Sequence, residues 1–302
     1  MNYTDWCAKN RIFEKDQMWI KDNLVLETIM GSHAYGCQTP DSDFDHLGIF
    51  MPKREYFQPF NFGFIPGFDI LPSFDRLTLK GGKNKNIIDN KEHEGEWISI
   101  IKFFHECGIK SSPNLLEVLF VKRNLVSVGT KIGWKLRDNR KTFLSLKTFK
   151  AFSGYANGQM KHIRSRKVES DERRALIEKY NFDIKMAYHT LRLLDQLEQL
   201  LTIGDLDLMR NRKECQLMRM GQWGNFDRFE KEYQKRMDHV AELARKSPLS
   251  PTPMHEKLHN LLMECLEDYY GDLGKAQKET FEFISSKDVF DKLTKIENLI
   301  RK

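Results

Sequence analysis

Two short, mainly apolar runs separated by glycine, proline and aspartate mark the first part of the chain. LVLETIM at 24–30 ends at Gly31, and HLGIFM at 46–51 ends at Pro52. Apolar runs of this length bounded by turn residues predict buried β-strands. GEWISIIKFFHEC, which starts at Gly95, begins as a further strand or passes directly into a helix.

From about Ser111 onward the apolar positions recur at helical spacing. Pro113 lies near one predicted helix start, and the stretch 171–203 predicts a long helix. Its apolar residues are Ile177, Ile184, Ala187, Leu191, Leu194, Leu197 and Leu201. Further helices are predicted at 226–245, 254–269 and 277–300, with a linker at 246–253.

This change of pattern predicts an α+β fold, in which a small mixed sheet with flanking helices is followed by an all-helical part. We place the boundary near residue 125, which gives domains at 1–125 and 126–302. The pattern is weak between residues 52 and 92, where LKGGKNKN at 79–86 is a basic segment with two glycines. That segment predicts either a mobile flap or a surface hairpin turn.

The composition adds little to this picture, but it argues against a disordered chain, a disulfide-bonded framework and a membrane-spanning protein. Hydrophobic residues make up 40% of the 302 positions, which is enough for a core. The net charge of +6 is compatible with phosphate-bearing partners, without separating a nucleic acid from a nucleotide. Five scattered cysteines, the lack of a signal region and the lack of an apolar run near ~20 residues indicate a soluble, cytoplasmic protein outside the membrane.

The segment between the two predicted strands, residues 31–50, carries the candidate chemistry. Gly31 and Ser32 follow the first strand, and Asp43-Phe44-Asp45 leads into the second. Two aspartates at i and i+2 on a strand point to one face, and Mg²⁺ prefers carboxylate oxygens. A Gly-Ser pair alone is typical of any tight turn, and Asp-x-Asp is common in loops. Their order and spacing between two strands are what favour a metal and phosphate site.

The Gly-Ser pair, spacer and Asp-x-Asp resemble the signature of the DNA polymerase β nucleotidyltransferase superfamily. More narrowly, GSHAYG with TPDSDFDHLGIF is similar to the predicted nucleotidyltransferases associated with RNA-repair ligases, an RlaP-like family. The resemblance implies a polymerase-β-like catalytic domain followed by a helical nucleotide- and substrate-binding domain. It implies transfer of a nucleoside monophosphate from a nucleoside triphosphate, expected to be ATP, with Mg²⁺ or Mn²⁺ and release of pyrophosphate. The implied acceptor is an RNA 3′ end, such as that of a tRNA.

The same resemblance gives expectations for individual residues. Asp43, Asp45 and a third carboxylate are expected to be catalytic and to hold metal. The family has an acidic residue shortly before a Lys-Phe helix, and counting back from Lys102-Phe103 favours Glu94. Glu96, on the same strand face, and Glu117, which could instead form an internal salt bridge, remain alternatives. The residues expected to bind nucleotide are Gly31, Ser32, Tyr35, Ser42, Lys185, His189 and Arg192.

The last three of these residues lie on YNFDIKMAYHTLRLLDQLEQLLTIGDL, which resembles the family's Lys-x-x-x-His-x-x-Arg helix. Lys185, His189 and Arg192 stand at i, i+4 and i+7, so one helix face presents all three. They are expected to bind the triphosphate; a solvated basic face is the alternative. A second basic cluster is expected to face solvent or a nucleic-acid backbone, and it comprises Lys161, Arg164, Arg166 and Lys167.

Three other functions remain open at this point. Adenylylation of a protein or a small molecule would use the same catalytic core. A non-catalytic nucleotide- or RNA-binding module would keep the fold without the reaction. His255-Glu256-Lys257-Leu258-His259 matches the H-E-x-x-H motif of zinc proteases, in which two histidines bind zinc and the glutamate is the base. No metzincin-like continuation follows that motif.

Overall fold

The computed structural model describes residues 1–54, 75–79, 86–166 and 171–271. These residues form a six-stranded mixed sheet and a group of helices, which confirms the predicted α+β class. The strands are β1 (Leu24–Ile29), β2 (Phe44–Phe50), β3 (Arg76–Leu79), β4 (Asn86–Ile88), β5 (Lys91–Ser99) and β6 (Val126–Gly129).

Short helices accompany the sheet and longer ones follow it. The first five are α1 (Tyr3–Lys9), α2 (Gly31–Ala34), α3 (Ile100–Phe103), α4 (Pro113–Glu117) and α5 (Lys131–Asp138). A π-helical segment, Phe104–Ile109, continues α3. The others are α6 (Lys147–Ser165), α7 (Asp171–Tyr180), α8 (Ile184–Ile203), α9 (Arg212–Arg219), α10 (Phe226–Lys246) and α11 (His255–Tyr270).

The sheet has the strand order β3-β5-β2-β1-β6, and β4 also pairs with β5. Strands β2 and β5 are parallel, whereas the other pairs are antiparallel. In the parallel pair Asp45 lies opposite Glu94. Side chains of directly paired residues point to the same face of a sheet. The pairing therefore brings an acidic residue of β5 beside Asp45, although 49 positions separate them in the sequence.

The two strands predicted from apolar runs are confirmed, with one useful difference. β2 begins at Phe44 rather than His46, so Asp45 lies within the strand. The segment from Gly95 proves to be both strand and helix, since β5 runs to Ser99 and α3 begins at Ile100. β6 lies just beyond position 125 and belongs to the sheet. The division of the chain at that residue stays a prediction.

The two faces of the sheet pack against different partners. On one face α1 and the following residues form a small core around Trp97 and Phe50. The buried Glu27 carboxylate of β1 joins this layer to the sheet by accepting hydrogen bonds from the backbone N–H groups of Tyr3 and Thr4, at 3.1 and 3.0 Å. The larger core fills the space between the other face and the helices.

Helix α8 is the centre of the helical part, because most of its side chains are buried and α6, α9 and α10 pack against it. The prediction of one helix over 171–203 was wrong, since α7 and α8 are separate. Asn181 has a left-handed backbone with φ of 67°, and the Asp183 side chain caps α8 by accepting from the N–H of Met186 at 2.9 Å. Asparagine tolerates the left-handed region and aspartate is a preferred N-cap, so these two residues end one helix and begin the next.

The later helices agree with their predictions at 226–245 and 254–269 within one residue. The predicted helix at 277–300 lies outside the described residues, as do positions 80–85 of the predicted flap. No helix in the described ranges is both long and apolar enough to cross a membrane.

Candidate active site

The end of β1 makes a close approach to β2 at Gly31. Its φ is +60°, in the left-handed region that favours glycine. A Cβ at this position would lie 1.8 Å from Oδ2 of Asp45. Gly31 is therefore required both by its backbone conformation and by the position of the Asp45 carboxylate.

Three carboxylates converge at this point. Asp43 immediately precedes β2, Asp45 lies on it, and Glu94 is the paired residue of β5. One oxygen from each lies within 4.8 Å of the other two. The Asp43 side chain is exposed, whereas those of Asp45 and Glu94 are half-buried, so the group opens to solvent on one side. This group, which we call the acidic triad, has the oxygen ligands that Mg²⁺ and Mn²⁺ prefer.

The electrostatics of the triad fit a cation. Burial, together with the negative charges of Asp43 and Glu94, raises the pKa of Asp45 from 3.8 to about 6. The nearby Lys185 ammonium acts in the opposite direction and lowers the pKa. Mutual repulsion among carboxylates is relieved when a divalent cation lies between them.

The three candidates for the third carboxylate have different surroundings. Glu94 lies with the two aspartates. Glu96 lines the same cavity, but its carboxylate pairs with Arg76 of β3, with 3.1 Å between Nε and Oε1. Glu117 is fully buried and bonded to Tyr35 and Arg192. The geometry therefore favours Glu94 among the three, as the sequence spacing did.

Glu117 is the centre of a buried network that links three parts of the chain. One of its oxygens accepts from the Tyr35 hydroxyl and the other from Nη1 of Arg192, each at 2.5 Å. The Arg192 guanidinium also lies over the Tyr35 ring, 3.7 Å from its centroid. Because its guanidinium is bonded to Glu117 and stacked on Tyr35, Arg192 is a buried, paired cation rather than part of a solvated basic face.

His189 lies one turn before Arg192 on α8 and also lines the cavity. Its Nδ1 is 3.4 Å from Nη2 of Arg192. Guanidinium nitrogens only donate, so Nδ1 is the acceptor and the ring proton lies on Nε2. Burial and the positive charges of Arg192 and Lys185 lower the pKa of His189 well below its usual value. His189 is thus a neutral ring with one N–H donor.

Ser32 and Ser42 have different surroundings, although both are buried. The Ser32 hydroxyl has no hydrogen-bond partner within the described ranges. The Ser42 hydroxyl accepts from the N–H of Thr39 at 2.8 Å and stabilises the turn before the triad. Ser42 does not line the cavity described next, whereas Gly31 does.

A cavity of about 740 Å³ lies beside the triad and is large enough for a nucleotide. The sheet contributes Asp45, Glu94 and Glu96, and the helices contribute polar side chains from α6 and α8. Of the residues predicted to bind nucleotide, the structure brings Gly31, Tyr35, His189 and Arg192 to this cavity.

The opposite face of β2 carries a row of stacked rings that the sequence reasoning missed. Phe44 stacks on His33 and His93, with centroids 4.0 and 4.8 Å apart, and His46 stacks on Tyr3 at 4.3 Å. Burial lowers the pKa of His46 to about 3, and the positive charge of the neighbouring His93 acts in the same direction. Positions 44 and 46 alternate with the aspartates, and that alternation was the available signal. The row supports the strand that holds Asp43 and Asp45.

The histidines of the H-E-x-x-H segment lie exposed in the first turns of α11. Within the described part of the chain, three potential metal ligands converge at the acidic triad, and no such group includes His255 or His259. A zinc protease needs three protein ligands, so the segment lacks the geometry of that site.

The sequence profile of the RNA repair pathway DNA polymerase beta family, RlaP, matches residues 9–217. The chain belongs to this family. The matched part of this RlaP chain contains the whole sheet, the acidic triad and helix α8. The family resemblance inferred from the sequence is confirmed, and with it the polymerase-β-like nucleotidyltransferase class.

Two individual proteins are also similar. An uncharacterized 38.9 kDa protein in the nrdC-mobD intergenic region of Enterobacteria phage T4 is 30% identical over 141 residues, 45% of this chain. The match spans 37% of that phage protein, little more than a third of its length. A nucleotidyltransferase-like protein from Exiguobacterium sibiricum 255-15 aligns over 79% of this chain and 74% of its own, with 8% identity and a TM-score of 0.27. A likeness that weak decides nothing about this chain.

Proposed function

We propose that this RlaP protein is a metal-dependent nucleotidyltransferase that transfers a nucleoside monophosphate from a nucleoside triphosphate, ATP, to the 3′ hydroxyl of an RNA. The observation that carries the proposal is the convergence of Asp43, Asp45 and Glu94 beside Gly31, at the edge of a nucleotide-sized cavity. Family membership supports the class of reaction.

The residues present fit a pair of Mg²⁺ or Mn²⁺ ions. The triad supplies oxygen ligands from three side chains, and burial together with repulsion among them raises the pKa of Asp45. When bound, the metal ions neutralise the triphosphate and orient the attacking and leaving oxygens. Asp43 and Asp45 would hold these ions from one strand, and Glu94 from its neighbour.

The reaction itself is a displacement at phosphorus. The acceptor hydroxyl oxygen forms a bond to the α-phosphorus, the bond to the β-phosphate bridging oxygen breaks, and pyrophosphate leaves. The hydroxyl proton passes to a carboxylate of the triad. Because the chain forms no covalent intermediate in this scheme, its contribution is positioning and charge neutralisation.

Other side chains around the triad would position the triphosphate. Gly31 permits a close approach of phosphate to the backbone, and the unpaired Ser32 hydroxyl is an available donor. His189 offers a neutral N–H, and Lys185 offers a positive charge near Asp45. Arg192, paired with Glu117 and stacked on Tyr35, would act by holding His189 in place.

The RNA acceptor is the finer part of the proposal. It rests on the family description and on the exposed basic residues near the end of α6, Lys161, Arg164 and Arg166. Arg164 pairs with Glu230, with 2.8 Å between Nη2 and Oε1, so its charge is partly neutralised. Lys167, the fourth member of that predicted cluster, lies outside the described residues.

The test is transfer of label from each α-labelled nucleoside triphosphate to a pool of small RNAs, with Mg²⁺ or Mn²⁺. Label should enter RNA with the wild type and not with Asp43→Asn or Asp45→Asn. Asp41→Asn is the matched control, because Asp41 is an exposed acid two positions before the triad. Full activity of the Asp43→Asn/Asp45→Asn double variant would refute the mechanism. Label in protein or small molecules instead of RNA would refute the acceptor, and no pyrophosphate release with any acceptor would favour a binding module.

A further inference from the structure

The wall of the cavity formed by α6 carries aromatic and polar side chains but no lysine, arginine or carboxylate. It is lined by Tyr155, Gln159 and His162. These residues stand at i, i+4 and i+7, so they share one face of the helix. None of the three side chains forms a hydrogen bond or an ion pair with another described residue. The cavity therefore has one wall with an aromatic ring and polar groups that are available to a ligand.

Tyr155 is the most informative of these residues. Its side chain is 41% exposed, and large aromatic side chains are usually more buried than that. Its neighbours on the inner face of α6, Phe152 and Ala156, are fully buried in the core, so α6 itself is firmly packed. A ring held on a rigid helix and facing a cavity is a surface on which a planar ligand stacks.

The charges around the cavity separate two regions. Asp45, Glu94 and Arg192 line the side suited to metal ions and phosphates, and Lys185 lies near Asp45. Arg173 of α7 also lines the cavity and pairs with Asp183. The face of α6 that lines the cavity carries neither a lysine, an arginine nor a carboxylate. It carries the Tyr155 ring, the Gln159 carboxamide and the His162 imidazole, which suit a planar group with hydrogen-bonding edges.

We propose that Tyr155 and Gln159 form the subsite for the nucleobase of the incoming nucleotide, with the Tyr155 ring stacked on the base and the Gln159 amide bonded to its edge. The inference rests on the proposed function and adds the residues that select the nucleotide. A glutamine side chain donates and accepts at once, and adenine is the base with which it pairs in bidentate fashion. The subsite therefore favours adenine.

The experiment compares binding of ATP and ribose 5-triphosphate, which lacks the base, to the full chain with Ca²⁺ and no acceptor, by calorimetry. Base stacking should make ATP bind tighter than ribose 5-triphosphate by about tenfold or more. Tyr155→Ala should bring that ratio close to one, and Tyr155→Phe should retain it. Tyr269→Ala is the matched control, because Tyr269 is similarly exposed but does not line the cavity.

The role of Gln159 is tested in the same assay with ATP and GTP. The wild type should prefer ATP, and Gln159→Ala should reduce that preference while Tyr155→Phe leaves it unchanged. Far-UV circular dichroism and thermal unfolding of each variant show whether α6 is intact. If a folded Gln159→Ala variant prefers ATP over GTP as strongly as the wild type does, the Gln159 amide does not contact the base.

The outcomes separate this inference from the proposed function. If the wild type binds neither triphosphate, the proposed function itself is wrong. If the wild type binds both equally, or if Tyr155→Ala keeps the tenfold ratio, the subsite is wrong and nucleotidyl transfer is untouched. A separate titration with a short RNA completes the test: if Tyr155→Ala weakens RNA binding and leaves ATP binding unchanged, the ring serves the acceptor and the assignment to the incoming nucleotide is overturned.

Discussion

Gly31 leaves the space that the Asp45 carboxylate occupies, since a Cβ on Gly31 would lie 1.8 Å from Oδ2 of Asp45. Gly31 is the first residue of α2, just after β1, and Asp45 lies near the start of β2. A side chain at position 31 would therefore displace the Asp45 carboxylate. The glycine of the Gly-Ser pair is therefore explained by the packing of the Asp45 carboxylate.

Gly31→Ala should displace the Asp45 carboxylate and lower the rate of nucleotidyl transfer by about 100-fold, as misplacement of a catalytic group by ~1 Å does. Gly204→Ala is the matched control: Gly204 also has φ of +60°, but a Cβ at that position would have no atom within 4 Å. Both variants carry a left-handed alanine, which costs about 1 kcal/mol. Equal transfer rates for the two variants would show that the contact with Asp45 is unimportant.

Asp45→Asn should stabilise the metal-free protein. The pKa of Asp45 is raised from 3.8 to about 6 by burial and by its acidic neighbours, so folding disfavours the charged carboxylate. The favourable contribution of the protonated form is complete below pH 4 and is lost as the pH rises through 6. At pH 7.5 the asparagine variant should be more stable by about 1–2 kcal/mol, less than the full shift implies because the site is partly solvated.

Urea unfolding in the presence of a chelator, at pH 4 and pH 7.5, measures this difference. The stabilities of wild type and Asp45→Asn should converge at pH 4. The exposed Asp41→Asn serves as control and should show little change at either pH. A variant less stable than wild type at pH 7.5 would mean that Asp45 is not repelled by its neighbours.

Metal binding should reverse the order of stability between these proteins. A site filled by Mn²⁺ at about 100 times its dissociation constant stabilises the fold by about 2.7 kcal/mol. The unfolding temperature of the wild type should therefore rise by several degrees, and that of Asp45→Asn or Glu94→Gln should not. Glu96→Gln should respond as the wild type does, because Glu96 pairs with Arg76. If Glu96→Gln lost the rise in unfolding temperature with Mn²⁺ and Glu94→Gln kept it, Glu96 rather than Glu94 would be the third metal ligand.

The sequence predicted the local parts of this site better than the long-range ones. Asp43 and Asp45 were identified because their spacing and the flanking strands are visible in one segment. The preference for Glu94 over Glu96 and Glu117 depended on family spacing. Its physical basis is the parallel pairing of β2 with β5, which an apolar pattern does not specify.

The helical pattern also lacked information on long-range contacts. Periodicity placed Lys185, His189 and Arg192 on one helix face, but burial of Arg192 depends on Glu117, 75 positions away. The break between α7 and α8 depended on the left-handed Asn181 and the Asp183 cap, which the apolar periodicity on either side concealed. Local spacing therefore predicted which residues share a strand or helix face. The residues that contact them from distant parts of the chain could be identified only from the three-dimensional structure.

Glu27 should be important for attachment of the N-terminal helix. Its carboxylate accepts hydrogen bonds from the N–H groups of Tyr3 and Thr4, from the Thr4 hydroxyl and from the Ser127 hydroxyl. Glu27→Leu would leave the buried donors of Tyr3 and Thr4 without this acceptor, at a cost of about 1–3 kcal/mol for each unsatisfied group, whereas the exposed Ser127 can bond to water. We expect a large loss of stability in urea unfolding, and faster proteolysis near α1 than in the wild type. Unchanged proteolysis near α1 would contradict the anchoring role.

Glu117 and Arg192 should be coupled far more strongly than surface ion pairs. Both are buried, and Glu117→Gln would leave the guanidinium without its counter-charge, which costs about 3–5 kcal/mol for a buried pair. Arg192→Met alone should cost a similar amount, and the double variant much less than the sum. A double-mutant cycle by urea unfolding measures this coupling, with the exposed pair Lys246 and Glu242 as control. Additive losses at Glu117 and Arg192 would show that the two side chains contribute independently.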